Sequence, residues 1–409
     1  MKKYMMIVLL LLPVLLLSVS NGVLDKPTVS LLENRQLKQM PVFTWGELFA
    51  GTYLREYEEY FADTFIFRDH LARLNRRVES LWGMGVEAAS IVTHRGANIA
   101  DVHDGDVPER QRTDAENAKV LKSQSLLIYE GKVMEIHKFS AASSEDYAGV
   151  ISEFAEAAGD SVQVYSLLAP TQIEFLASER YRSLSSSQDH TIGFVYEHLS
   201  DVVTAVDAYR ELKDHAEDYI YFNTDHHWTA EGAYHAYVAL QLARGEEPVP
   251  LESYEVGEAY PFRGYLYALC LDESVGNNPD TVFYYIPTTP HEYYYYPQVG
   301  IKANVLELHW VNEDNKYGIF LGGDRPWGVI TTDVKNQKRI AVVKDSYGNA
   351  FIPFLLPHYE QIFIIDPRQF PHNLGEFVRD RNIDEVLFLN YIKVTEHNGF
   401  VDLLRKIVH

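Results

Sequence analysis

Two hydrophobic rhythms alternate along most of this chain. Short, mostly apolar runs at Val162–Leu168, Tyr219–Phe222, Arg339–Val343, Ile362–Ile365 and Val386–Leu389 read as strands. Between them, Phe139–Ala158, Ile192–Leu212 and Thr229–Leu242 carry apolar residues three and four apart, which predicts helices. Ser143 or Ser144 is the expected N-cap of the first helix and Thr229 of the third. Apolar strands alternating with helices predict an α/β fold, a parallel sheet flanked by helices on both faces. Ligands of such sheets bind in the loops at the carboxyl ends of the strands. Residues 244–335 break the rhythm. This stretch is rich in Tyr, Pro and Gly, with tyrosine runs ending at Tyr285 and Tyr296, and predicts a β-rich insertion near the site. Its tyrosines suit ordinary strands, which favour them, or a sugar-stacking surface.

The first residues follow another pattern. Lys2 and Lys3 precede an apolar run from Met5 to Val19, interrupted only by Pro13 and Ser18. A basic head before a short apolar stretch reads as an export signal. The run is slightly shorter than the ~20 residues of a free transmembrane helix. Residues 1–22 are therefore a cleaved signal peptide or a retained membrane anchor, and the chain is expected to be exported, at the cell surface or secreted. Residues 23–120 read as a tether followed by a helical segment. There Phe61, Phe65, Phe67 and Leu71 alternate with charged residues up to about Trp82. A polar loop is expected at 101–120, and the main domain at 121–409.

Composition narrows the partners. With 46% hydrophobic residues the chain is globular, and its formal charge of −22 excludes nucleic acid and anionic membrane surfaces. The single cysteine, Cys270, permits no intrachain disulfide; its apolar neighbours predict buried packing.

Two short segments carry chemistry. In the stretch Asn223–Trp228, Asp225 stands two residues before His227, so both side chains reach one face of an extended segment. A carboxylate there fixes the imidazole tautomer and leaves Nε2 free as a base. In the stretch Ala341–Ala350, an apolar strand runs into Asp345 and Ser346, then Gly348 and a helix. That is a strand–turn–helix setting for a nucleophilic serine. Its N–H, at a helix start, would face a developing oxyanion. Gly348 would permit close approach of substrate. Neither segment suffices alone; their joint position at strand ends makes Ser346, His227 and Asp225 the candidate triad. Further candidates for substrate or oxyanion contacts are Arg368, Gly322, Gly323 and Asn349. For Arg368 an ion pair with Asp366 is the alternative, and for the glycines a tight turn. Asp225, His226 and His227, with His235 one helix on, also resemble metal ligands, but adjacent imidazoles diverge. No metal and no cofactor are expected.

The sequence Asp225–His226–His227–Trp228, followed by Thr229–Gly232, resembles the signature of the DHHW protein family. That family is similar to the alginate O-acetylation proteins, which have an SGNH-hydrolase-like domain. Glu33–Arg35, Pro41, Tyr60–Phe65 and Phe67–Asp69 resemble its N-terminal segment, while Ala169–Thr171, Phe262–Gly264 and Val343–Ser346 fall in the expected order. The resemblance spans residues 30–405. It implies an SGNH-like α/β domain in which Ser346 accepts an acyl group, His227 is the base and Asp225 orients it. Arg368 falls where related proteins often carry an arginine. The implied function is extracytoplasmic O-acetyl transfer to a polysaccharide, beside a membrane-bound O-acyltransferase partner. A carbohydrate acetyl-esterase, or a non-catalytic polysaccharide-binding or scaffold protein, remains the alternative.

Overall fold

The computed structural model describes residues 38–65 and 125–409, with short pieces at 21, 26, 29–30, 35–36 and 118–121. Nearly all of the expected signal segment, the helical pattern beyond residue 65 and most of the loop at 101–120 lie outside the described residues. The chain forms two compact units, Met1–Glu87 and Ala88–His409. In the first, helices Trp45–Ala50 and Thr52–Asp63 meet at Gly51, whose φ of 78° turns the chain between them. Among the described residues, no helix is long and apolar enough to cross a membrane.

The second unit opens with a small antiparallel sheet: β1 (Ala118–Leu121), β2 (Leu126–Tyr129) and β3 (Lys132–Glu135). Glu130 and Gly131, both with positive φ, form the two-residue turn between β2 and β3. Helix α1 (Ala141–Ala158) follows and leads into β4 (Gln163–Ala169). Its cap is Ser140, whose hydroxyl accepts from Ser143 N–H; Ser143 and Ser144 are buried inside the first turn instead.

The expected helix 192–212 is two helices, α2 (Gln188–Glu197) and α3 (Ala208–Asp214), around the strand β5 (Val203–Ala205). Pairing of Val203 with Val164 on β4 draws this segment into the sheet, against its helical periodicity. The predicted strand Tyr219–Phe222 makes only an isolated bridge, Tyr221 to Trp228. Helix α4 (Ala230–Arg244) starts at Thr229, whose hydroxyl accepts from Gly232 N–H at 3.2 Å.

The region expected as an insertion contains β6 (Glu255–Phe262), β7 (Asp280–Ile286), β8 (His291–Tyr295), β9 (Ile301–Ala303) and β10 (Trp327–Thr332). β6 and β7 form a separate ribbon. The other strands join the main sheet. That sheet then gains β11 (Arg339–Lys344), β12 (Gln361–Ile365) and β13 (Glu385–Tyr391), in the order β9-β8-β10-β12-β11-β13-β4-β5. β12, β11, β13, β4 and β5 run parallel, while β10, β8 and β9 extend them antiparallel. The sheet is therefore mixed, with the expected parallel core and an antiparallel margin.

Alternation along β11 shows the two-sided burial. Ile340 and Val342 pack into a core with Tyr237 and Leu240 of α4. Ala341 and Val343 pack into the opposite core with Phe154 of α1, Phe377 of α5 (Leu374–Asp380) and Leu404 of α6 (Asn398–Val408). The tyrosine run is strand packing: Tyr293 is buried and Tyr296 stacks on Trp327 at 4.1 Å, whose neighbours include Phe377 and Arg381. Cys270, predicted to be buried, is only partly so, at the last turn of the short helix Tyr265–Cys270.

Candidate active site

Ser346 stands two residues beyond the end of β11, at the carboxyl edge of the parallel strands, and stays partly accessible. Its turn is held from below by Asp345, whose carboxylate accepts from Tyr347 N–H and Tyr391 N–H, both at 2.9 Å. Ser346 N–H, by contrast, donates to no group among the described residues. The following helical segment begins at Gly348. A Cβ on Gly348 would lie 2.7 Å from the Lys344 side chain, so this glycine makes room for a buried lysine rather than for substrate.

The Asn223–Trp228 turn brings the His227 imidazole. Asp280 gathers its start, accepting from Tyr219 OH at 2.6 Å, Asn223 N–H at 2.7 Å and Thr224 N–H at 2.8 Å, and from the Thr224 hydroxyl. Trp228 Nε1 donates to Tyr347 O at 2.9 Å, and Tyr347 OH donates to His226 O. These bonds tie the turn to the serine loop across 119 residues of sequence. As a result His227 Nε2 lies 2.7 Å from Ser346 Oγ and His227 Nδ1 lies 2.5 Å from Asp225 Oδ1. Asp225 Oδ2 accepts from Tyr265 N–H at 2.7 Å. A Cβ on Gly264 would stand 2.2 Å from that same oxygen, so the approach of this loop requires glycine.

Electrostatics agree with the geometry. Burial alone would raise the Asp225 carboxyl, but the imidazoles of His227 and His226 and the Tyr265 N–H hold it well below the usual range. Burial, then the charge of His227, pushes His226 down and favours its neutral form. Burial pushes Asp345 up to about 6, against the N–H bonds from Tyr391 and Tyr347. An oriented, carboxylate-backed imidazole in contact with an accessible hydroxyl is a nucleophile–base–acid arrangement.

A family model described as DHHW protein matches residues 97–365. The chain belongs to the DHHW family. A crystal structure of a DHHW family protein from Eubacterium siraeum is 28% identical, with a TM-score of 0.60, covering 71% of this chain and 94% of its own. Bacillus cereus PatB1, in a structure with a sulfonyl adduct, is 19% identical with a TM-score of 0.58, covering 69% and 99%. No curated protein matches the sequence. The α/β fold expected from the resemblance is the fold found, with its helices on both faces of the sheet.

The remaining candidates of this DHHW protein have other partners. Arg368 binds Asp366 through Nε at 2.8 Å and Nη2 at 2.6 Å, and Nη2 also reaches Asp324 at 2.6 Å. The ion-pair alternative thus holds, widened to a second carboxylate. Asn349 is buried in the same network, donating to Asp324 at 3.0 Å and accepting from Lys344. Gly322 N–H and Gly323 N–H donate to Gly318 O and Phe320 O, each at 3.1 Å, so both serve the tight turn. Sequence reasoning missed Asp280, Gly264, Tyr317, Lys344 and Asp324. The apolar strand ending in a charged residue, Lys344, and the Phe262–Gly264 motif were the local signals. Asp225, His226 and His227 converge closely enough to hold a metal, but a metal there would take one of the two His227 nitrogens, each of which is already hydrogen-bonded, to Asp225 and to Ser346. Glu211, His215 and His235 converge between α3 and α4, where the two imidazoles stack at 3.6 Å.

Proposed function

We propose that this protein transfers O-acetyl groups to a cell-envelope or secreted polysaccharide through an acyl-Ser346 intermediate. The single observation that carries this reading is the unbroken line Asp225–His227–Ser346, with contacts of 2.5 and 2.7 Å. Ser346 Oγ attacks the donor's acyl carbonyl as His227 Nε2 takes its proton. The imidazolium, stabilised by Asp225, returns that proton to the departing oxygen. The acceptor hydroxyl then attacks the acyl carbon, losing its proton to Nε2 while the bond to Ser346 Oγ breaks and the serine is reprotonated. Ser346 N–H is the candidate oxyanion donor. The basic head at Lys2–Lys3 and the apolar run after it support a place outside the cytoplasm, where a membrane-bound acyltransferase could hand over the acyl group.

PatB1's sulfonyl adduct suggests the first test, because sulfonyl fluorides trap activated serines. Labelling of the protein, followed by peptide mass analysis, should locate the adduct on Ser346. Incubation with p-nitrophenyl acetate should release nitrophenolate in the wild type and not in Ser346→Ala. Oligosaccharide acceptors should then gain the mass of one acetyl group. Turnover with no acceptor gain would make the protein an esterase, and no turnover at all would leave a binding or scaffold role.

A further inference from the structure

The segment between α3 and α4 carries Asp225 and His227, and its two ends meet at a cluster that the triad does not use. Glu211 and His215 stand four residues apart at the end of α3, and Glu231 and His235 four apart in the first turns of α4, so each pair shares one helix face. Asp218 joins them from the connecting loop. Its N–H donates to His215 O at 3.0 Å, and its own carbonyl accepts from Ile220 N–H at 2.9 Å. The loop then lies directly on α4: Thr229 N–H donates to Ile220 O at 2.9 Å, and a Cβ on Gly232 would stand 2.3 Å from that oxygen. This close approach carries Asp218 to Glu231 and His235, whose ligand atoms and its own all lie within 4.8 Å of one another.

His235 is 8% exposed, yet neither of its ring nitrogens has a hydrogen-bond partner among the described residues. Buried polar groups are normally paired. The side chains of Asp218 and Glu231 also make no hydrogen bond or ion pair among the described residues, and both keep some exposure, so the cluster opens to solvent. Two carboxylates gathered with no lysine or arginine paired to either repel each other. With an imidazole nitrogen beside them they make a donor set for a divalent ion. His215 takes a different part. Its Nδ1 faces Glu211 O at 2.9 Å, and its ring lies on that of His235 at 3.6 Å with planes within 22°, so it supports the His235 ring from one face.

We propose that Asp218, Glu231 and His235 bind one divalent metal ion, zinc by their mixed nitrogen and oxygen donors, with water completing the shell. The ion clips the loop after α3 to the first turns of α4. It thereby closes the segment that presents Asp225 and His227 to Ser346, and it takes no part in proton transfer. The site stands whether the triad transfers acyl groups or only hydrolyses esters.

The full chain, stripped with a chelator, is titrated with Zn²⁺ against a chromophoric zinc indicator. One ion should bind per chain, raise the Tm and slow amide exchange across residues 216–230. His235→Asn and Glu231→Gln should each weaken binding at least about tenfold. His215→Phe keeps a flat ring against His235 and should bind like the wild type. His227→Ala should also retain the ion, which separates this site from the Asp225–His226–His227 cluster. Ca²⁺, which takes oxygen ligands, should compete poorly. No zinc bound, zinc lost in His227→Ala, or unchanged affinity in both His235→Asn and Glu231→Gln overturns the site. Loss of zinc in His215→Phe with wild-type binding in Glu231→Gln overturns it as well, because the ligands would then be Glu211 and His215.

Discussion

Tyr317 lies flat on His227, with ring centroids 3.8 Å apart and planes within 12°. Its hydroxyl donates to Ser346 O at 2.9 Å, so one side chain braces the His227 ring and the Ser346 backbone together. Burial, reinforced by Asp225, Asp324 and Asp345, pushes its ionisation far up, so it remains an O–H donor at every working pH. Tyr317→Phe keeps the stack and removes one bond from a carbonyl that Asn349 N–H still serves at 3.1 Å. The expected loss is about 1 kcal/mol, with ester turnover within about tenfold of wild type. Tyr317→Leu removes the flat face and should lower turnover further at comparable stability. Urea unfolding read beside nitrophenolate release checks this; equal turnover in the two variants would show that the stack does nothing for the base.

The three residues of the triad should act as a unit. Ser346→Ala and His227→Ala are each expected to lower ester turnover by about 10³-fold or more, and the double variant should be little worse than either. Asp225→Asn should also lose several orders of magnitude, because an amide cannot hold the imidazole in the productive tautomer or stabilise its cation. Steady-state rates across the four proteins provide the check. Multiplying losses in the double variant would mean that Ser346 and His227 serve separate steps.

Gly264 tests whether the carboxylate's position matters. An alanine there would drive a methyl group against Asp225, displacing either the carboxylate or the Tyr265 N–H that binds it. Gly264→Ala should therefore lower turnover at least tenfold while the far face of the sheet, around Phe154 and Phe388, keeps its packing. A loss of about 1–3 kcal/mol in stability is expected from overpacking. Normal turnover in a folded Gly264→Ala protein would show that Asp225 tolerates displacement.

What the sequence revealed and concealed follows from range. Ser346 and the Asp225–His227 pair were legible because each sits at the end of a local pattern, an apolar strand or a turn before a capped helix. Thr229 was legible as a cap for the same reason. Tyr317, Asp280 and Gly264 were not, since each acts on residues 29 to 90 positions away with no periodicity to mark it. β8 and β10 alternate like any half-buried strand, and nothing in such a pattern names the sheet it will join. The segment 192–212 carries a helical spacing that strand pairing overrides at Val203. Gly348 read as an opening for substrate because the bulk of Lys344 beneath it is visible only in three dimensions.

Asp345 gives the pH prediction. Its side chain is 4% exposed and its pKa is pushed up to about 6, against an ordinary value near 3.9. The folded state therefore holds this proton more tightly than the unfolded chain does. The associated stability is complete below about pH 4, declines as pH rises towards 6 and is lost above it. A shift of about two pKa units corresponds to about 3 kcal/mol. Asp225 and Glu396, both held low, act in the opposite sense and at lower pH, stabilising the fold as they ionise. They are common to wild type and variant and cancel in a comparison. Asp345→Asn carries no proton to lose and can still accept through one oxygen from Tyr347 N–H or Tyr391 N–H. Its stability relative to wild type should thus rise by about 2–3 kcal/mol between about pH 4 and pH 7, whatever the lost second bond costs at either end. Urea unfolding of both proteins across that window measures the difference directly. A constant offset between the two curves would mean that Asp345 is already ionised at pH 4 and that its bonds to Tyr347 and Tyr391 outweigh its burial.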